Sequence, residues 1–220
     1  MTVKTKRTNE NQKTMKRNKN VRSMDVQLPE AVEEENKLIV EGYALRFEET
    51  TVLWTDEFGN EYKEVIKRGA LDGADLSDVP FKYNHSNETM IMARTRNNTL
   101  QLTIDEFGLF IRAELADTTT GNDLYKLIKR GDIDKMSFAF TVLEDTYDRE
   151  SRTRAINKID KLFDVAAVDL PAYDGTSINA RSFFELEREK EAALERAEAE
   201  KQEQREKLLL KLKLGGITHE

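Results

Sequence analysis

Between Lys37 and Leu170, apolar and polar residues alternate with a period of two in one short run after another. Only once does the period lengthen to that of a helix. A chain patterned this way buries one face of each extended run, so sheets dominate its core. "KLIVEGYALRFEE" (37–49) reads as a strand, with Gly42 marking a bulge or a close backbone approach. "TVLW" and "YKEVI" form a hairpin about "DEFGNE", and "DVPFKYNHS" (78–86) is a short strand running into a polar loop. Residues 89–115 hold three alternating runs separated by "RNN" and "DEFG", which predicts an antiparallel meander. The helical exception is "DTTTGNDLYKLIKRG" (117–131). A threonine or aspartate caps its start, Leu124, Leu127 and Ile128 form the buried stripe, and Gly131 stops it. "KMSFAFTVLEDTYD" (135–148) and "RTRAINKIDKLFDVAAVDL" (152–170) return to strand, and "PAYDGTSINAR" (171–181) reads as a loop.

Both ends depart from this pattern and pull the hydrophobic share of the 220 residues down to 38%. Residues 1–35 form a basic, polar segment with little to bury, expected to be disordered. Residues 36–182 make one domain large enough for its own core. Residues 183–220 are dominated by Glu, Lys, Arg, Ala and Leu and predict a charged helix ending in the greasier "LLLKLKL". That helix is a solvated extension or a docking tail, and both readings stay open. The basic first segment lacks interleaved aromatic residues and the net charge is −7, so nucleic-acid binding is disfavoured as the main function. No apolar run approaches a membrane span and no secretory leader is visible, which predicts a soluble protein without a membrane partner.

The absence of cysteine excludes disulfides and thiolate chemistry and fits a reducing compartment. Outside the extreme C-terminus the one histidine is His85, in "FKYNHSN". It is the body's one side chain suited to proton transfer near neutral pH. Ser137 lies in "KMSFAF", where alternation sets Met136, Phe138, Phe140 and Val142 on one face and Ser137, Ala139 and Thr141 on the other. Small residues on that second face allow a neighbouring strand to pack closely, or something to approach the hydroxyl. In "KLFDVAAVDL", alternation groups Asp164 with Leu162, Ala166, Val168 and Leu170. A carboxylate in such company needs a partner, and a histidine nitrogen would serve. Ser137, His85 and Asp164 together would make a nucleophilic hydrolase. Their chain order, His–Ser–Asp, differs from the familiar triad orders, and there is no G-x-S-x-G elbow. No tight acidic motif marks a metal site, and no cofactor is expected.

Several pieces occur in an order that resembles the tailed-bacteriophage prohead serine proteases, capsid-maturation enzymes related in fold to herpesvirus assemblin. These are "EGYALRFEE", "VIKRGAL", "FKYNHS", "DEFGLFIRAEL", "TGNDLYKLIKRGDIDKMSFAF" and "KLFDVAAVDLPAYDGTSINAR", spanning roughly residues 37–182. The resemblance implies Ser137 as nucleophile, His85 as general base and Asp164 as the acidic third member. Two departures stand out. Ala139 occupies a position where the family often has glycine, and Asp164 stands where the acid is often glutamate. Asp169 is a fallback acid, though alternation points it to the opposite face. Arg152 and Arg154 fall near the segment that supplies an oxyanion donor in related proteases, but a solvated loop is the simpler reading of them.

The fold so implied is mainly β with flanking helices (α+β): a closed antiparallel β-barrel of the assemblin type, followed by the long charged helix. The implied substrates and partners are the major capsid protein precursor, its scaffolding segment and the protease itself, inside the assembling prohead in the host cytoplasm. Relatives in the wider clan can dimerise, so a homo-oligomer is an open option. A non-catalytic assembly or scaffold protein of the same virion is the competing reading.

Overall fold

The computed structural model describes residues 19–24, 30–34, 37–169 and 178–215. The chain divides into two compact units, Met1–Ala180 and Arg181–Glu220. In the first unit the strands are β1 (Asn20–Met24), β2 (Glu30–Glu34), β3 (Lys37–Arg46), β4 (Thr50–Thr55), β5 (Glu61–Ile66), β6 (Pro80–Tyr83), β7 (Ala93–Arg94), β8 (Leu100–Ile104), β9 (Gly108–Leu115), β10 (Lys135–Asp148) and β11 (Thr153–Val168). Helix α1 (Thr119–Arg130) lies between β9 and β10, and helix α2 (Ile178–Gly215) makes up most of the second unit.

Two sheets form, and neither closes among the described residues. The larger runs β1-β10-β11-β5-β4, with β6 also paired to β11 and β7 to β6. The smaller runs β2-β3-β9-β8. The expected closed antiparallel barrel is therefore corrected to two open sheets, one of them mixed. The mixture has a simple origin. Short turns predict antiparallel pairing of chain neighbours, but β5 and β6 pair in parallel with β11, which comes some ninety residues later. β11 is long enough to take β5 along its first residues and β6 along its last. At one end of the smaller sheet the charges of β2, "EAVEE", discourage further pairing.

β1 and β2 also correct the expectation of a wholly disordered first segment. Edge strands pair through their backbones, so a polar sequence can add to a sheet that has been built elsewhere. Residues 1–18 and 25–29 lie outside the described residues. So do residues 171–177 of the expected loop at 171–181, and the rest of that stretch opens α2.

Both sheets bury one face in a common core. Phe81, Phe138, Phe140, Leu162 and Val165 come from the larger sheet, and Val40, Leu45, Leu109 and Ile111 from the smaller. Leu124 and Ile128 of α1 join them. The Thr118 hydroxyl accepts the Gly121 N–H at 3.1 Å, and Gly131 closes the helix at φ 84°. The bulge expected at Gly42 falls between Tyr43 and Leu45. The close approach belongs to Gly108, where an added Cβ would sit 2.0 Å from the Leu45 carbonyl oxygen. The expected three-strand meander is reduced to β8-β9, because β7 pairs with β6 in the other sheet.

α2 carries i,i+3 and i,i+4 ion pairs, Glu187–Lys190 at 2.6 Å and Glu203–Lys207 at 2.5 Å, and leaves Leu208, Leu209 and Leu210 exposed. Among the described residues no helix is long and apolar enough to cross a membrane.

Candidate active site

The site is assembled from neighbouring strands of the larger sheet. Ser137 pairs with Ala166 and Ala139 with Asp164 across the β10–β11 ladder, so Ser137 and Asp164 are diagonal neighbours. Such a diagonal spans about 7–8 Å, which suits an imidazole with a hydrogen bond at each end. The other diagonal is Ala139 and Ala166, which leave open the space a ring must cross. The small residues on this face of β10 leave room beside Ser137 for the His85 ring.

Asp164 does not share a face with Leu162, as simple alternation predicts. The register slips between Ala139–Asp164 and Phe140–Leu162, which makes a bulge at Phe163. Leu162, Val165 and Ala167 turn to the core, while Asp164 and Ala166 stay on the Ser137 side.

His85 arrives from the third strand. β6 runs beside β11 with Lys82 opposite Ala166 and Tyr83 opposite Ala167, then ends. Asn84 and His85 follow, both in the left-handed region at φ 51° and 53°. Each such residue costs roughly 1–2 kcal/mol, and asparagine and histidine are among the side chains that most often adopt it. The Asn84 N–H donates to the Ala167 carbonyl at 3.0 Å, and its side-chain oxygen accepts the Asp169 N–H at 3.2 Å. These two bonds hold a strained turn, a common feature of functional sites.

The three side chains meet. His85 Nδ1 is hydrogen-bonded to Asp164 Oδ1, and His85 Nε2 lies 2.5 Å from Ser137 Oγ. Ser137 and Asp164 are buried, at 0% and 1% exposure, so solvent does not compete for these bonds. Asp164 Oδ2 accepts from Lys19 at 2.8 Å, and Lys82 Nζ stands 3.9 Å away. Burial, the largest influence, pushes the Asp164 carboxyl up, but the bond and charge of His85 and those of Lys19 hold it below the usual carboxylate range. An ionised Asp164 favours a proton on Nδ1, the tautomer in which Nε2 is bare towards the Ser137 hydroxyl. That hydroxyl has a second acceptor, the Arg22 carbonyl oxygen on β1, at 2.8 Å.

The other candidates lie elsewhere. Asp169 accepts a 2.8 Å bond from the Tyr83 hydroxyl and is not joined to His85. Arg154, expected in a solvated loop, is 7% exposed and bound between Asp145 and Glu64. Sequence reasoning passed over Glu64 and Arg22. Glu64 alternates with buried Tyr62 and Ile66, a carboxylate at an inward position, and this was a signal available in "YKEVI". Arg22 had no such signal, since nothing in its polar segment marks burial.

Among family models, that of the caudovirus prohead serine protease matches residues 23–190. The chain belongs to this family. It is a serine peptidase of the prohead type. The peptidase is also similar in structure to the bacteriophage T4 capsid assembly protease gp21. That match has a TM-score of 0.44 and 15% identity, and covers 71% of this chain and all of the other. No curated protein matches it.

Proposed function

We propose that this peptidase cuts the capsid protein precursor within its scaffolding segment, and cuts itself, inside the assembling prohead, with Ser137, His85 and Asp164 as its catalytic triad. The observation that carries the assignment is the continuous chain from the Asp164 carboxylate through the imidazole to the Ser137 hydroxyl at 2.5 Å. Family membership supplies the prohead setting.

In this reading Ser137 Oγ attacks the scissile carbonyl carbon while His85 Nε2 takes the hydroxyl proton. Asp164 orients the ring and stabilises the imidazolium that results. The tetrahedral intermediate expels the amine, which receives the proton from Nε2. Water, activated by the same nitrogen, then hydrolyses the ester on Ser137. The unit ending at Ala180 carries this chemistry, and the charged α2 serves as a handle in the assembling shell.

The test is co-expression with the cognate capsid precursor. Wild type should shorten the precursor, and Ser137→Ala should leave it intact, because loss of a triad nucleophile lowers turnover about a million-fold. Undiminished processing by the alanine variant would remove Ser137 from the role.

A further inference from the structure

We propose that β1 is the enzyme's own substrate strand, that it presents the Arg22–Ser23 bond to Ser137, and that Glu64 selects arginine on the acyl side of that bond. The proposal deepens the protease reading and rests on it.

β1 pairs antiparallel with the outer edge of β10, with Ser23 in register with Ser137 and Arg22 with Phe138. An extended peptide added to a sheet edge is a common mode of peptide recognition, in which the backbone gives affinity and the side-chain pockets give specificity. The Arg22 carbonyl oxygen is 2.8 Å from Ser137 Oγ. A carbonyl bond is about 1.23 Å long, so its carbon lies within about 4.0 Å of the nucleophile. The carbonyl oxygen faces the hydroxyl here, so attack at about 3–3.5 Å requires this peptide plane to turn and bring its carbon forward.

The side chain points the same way. Arg22 comes from a polar, basic segment, yet it is 2% exposed. Its Nε and Nη2 fork onto Glu64 at 2.5 and 3.0 Å, and its Nη1 donates to the Val21 carbonyl at 2.9 Å. Glu64 also receives Arg154 at 3.4 Å, and Arg154 is held by Asp145 at 2.6 Å. Take Arg22 away, and the two carboxylates Glu64 and Asp145 share one guanidinium. Among the described residues Glu64 is a buried carboxylate whose closest cation is Arg22, and its planar group fits a planar fork better than an ammonium.

The step balances. A bond forms between Ser137 Oγ and the Arg22 carbonyl carbon as the hydroxyl proton passes to His85 Nε2. The Arg22–Ser23 C–N bond breaks, and that proton goes to the Ser23 nitrogen, which becomes the new amino terminus. Residues 1–22 remain as an ester on Ser137 until water releases them with Arg22 as a carboxylate. While β1 is in place it fills the edge of β10 that an external strand would need, so the same cleavage opens the site.

The experiment follows purified full-length protein by intact mass and N-terminal sequencing, beside a synthetic peptide of residues 16–27 cleaved in trans. Wild type should yield a chain beginning at Ser23 at a rate independent of protein concentration, and Ser137→Ala should stay whole. Arg22→Glu should cut at least about a hundredfold more slowly, as expected for losing a buried charge pair. The peptide should be cut between its arginine and serine, and a peptide with alanine for that arginine turned over at least about a hundredfold less. The peptides require no folding of a variant, so a merely structural Arg22–Glu64 pair predicts no difference between them. The inference is overturned by an intact Arg22–Ser23 bond in protein that trims the capsid precursor, by cutting elsewhere in the segment, or by equal turnover of the two peptides. Protein that cuts neither itself nor the precursor overturns the protease reading as well.

Discussion

Asp164 stands opposite Ala139 in the β10–β11 ladder, one diagonal step from Ser137. The imidazole that joins the acid to the serine therefore passes over a face kept low by Ala139 and Ala166. Ala139→Gly should keep kcat within a fewfold and lose about 0.5–1 kcal/mol of stability through backbone entropy. Ala139→Leu should lose about 1–3 kcal/mol by overpacking and, by displacing His85, reduce kcat/KM far more than the stability loss accounts for. Urea unfolding and peptide hydrolysis on the same samples separate the two effects. Equal activity of the glycine and leucine variants would show that the ring does not use this space.

Asp164→Asn preserves shape and removes the charge. The amide can donate to Nδ1, which moves the ring proton to Nε2 and leaves no basic nitrogen to take the Ser137 proton. Turnover should fall about 10⁴-fold with little change in KM, the loss expected when the acid of a catalytic triad is replaced by its amide. A loss below tenfold would make Asp164 a positioning residue at most, with the tautomer set by something else.

Local features of this fold were readable from residue patterns because local physics sets them. The helix at 119–130 is framed by a capping Thr118 and a left-handed Gly131, and both hairpins show their turn residues. The pairing of β11 with β5 and β6 was not readable, since no turn connects strands so far apart in the chain. The same distinction runs through the site. His85, Ser137 and Asp164 stood out as a lone histidine, a hydroxyl on a small-residue face and an acid among apolar neighbours. The bulge at Phe163 gives Asp164 neighbours other than those that unbroken alternation assigns. Arg22 was invisible because its burial depends on strand addition at the edge of β10, a long-range event in a segment without hydrophobic periodicity.

The buried Glu64 makes stability depend on acid pH. Burial, the largest influence, pushes its carboxyl up, but the Arg22 and Arg154 guanidiniums outweigh that and hold it below its usual 4.5. A carboxyl depressed in the folded chain contributes stability that is complete above its unfolded value and is lost as pH falls through the folded one. Asp164 is depressed as well and acts in the same direction. In Ser137→Ala protein, which keeps β1 attached, the urea midpoint should be level from pH 7 to about 5 and decline steadily below about 4.5. Adding Glu64→Gln to that protein should lower the midpoint at pH 7, since breaking a buried pair costs about 3–5 kcal/mol, and make the decline in acid less steep. Parallel slopes in the two proteins would show that Glu64 does not carry this dependence.

Asn84 tests whether the turn that aims His85 matters more than the sheet beneath it. At φ 51° a β-branched residue meets its own backbone, whereas glycine does not. Asn84→Gly loses the bond to the Asp169 N–H but keeps the backbone path, so kcat should stay within about tenfold of wild type. Asn84→Val must either hold the left-handed conformation at a cost of roughly 1–2 kcal/mol or let the turn open and carry His85 away from Ser137. The residue lies beyond the end of β6, so the core should survive and the loss should fall on kcat. Stopped-flow acylation with an activated ester separates chemistry from binding. A valine variant that acylates as fast as the glycine variant would mean that Asp164 alone is enough to place the imidazole.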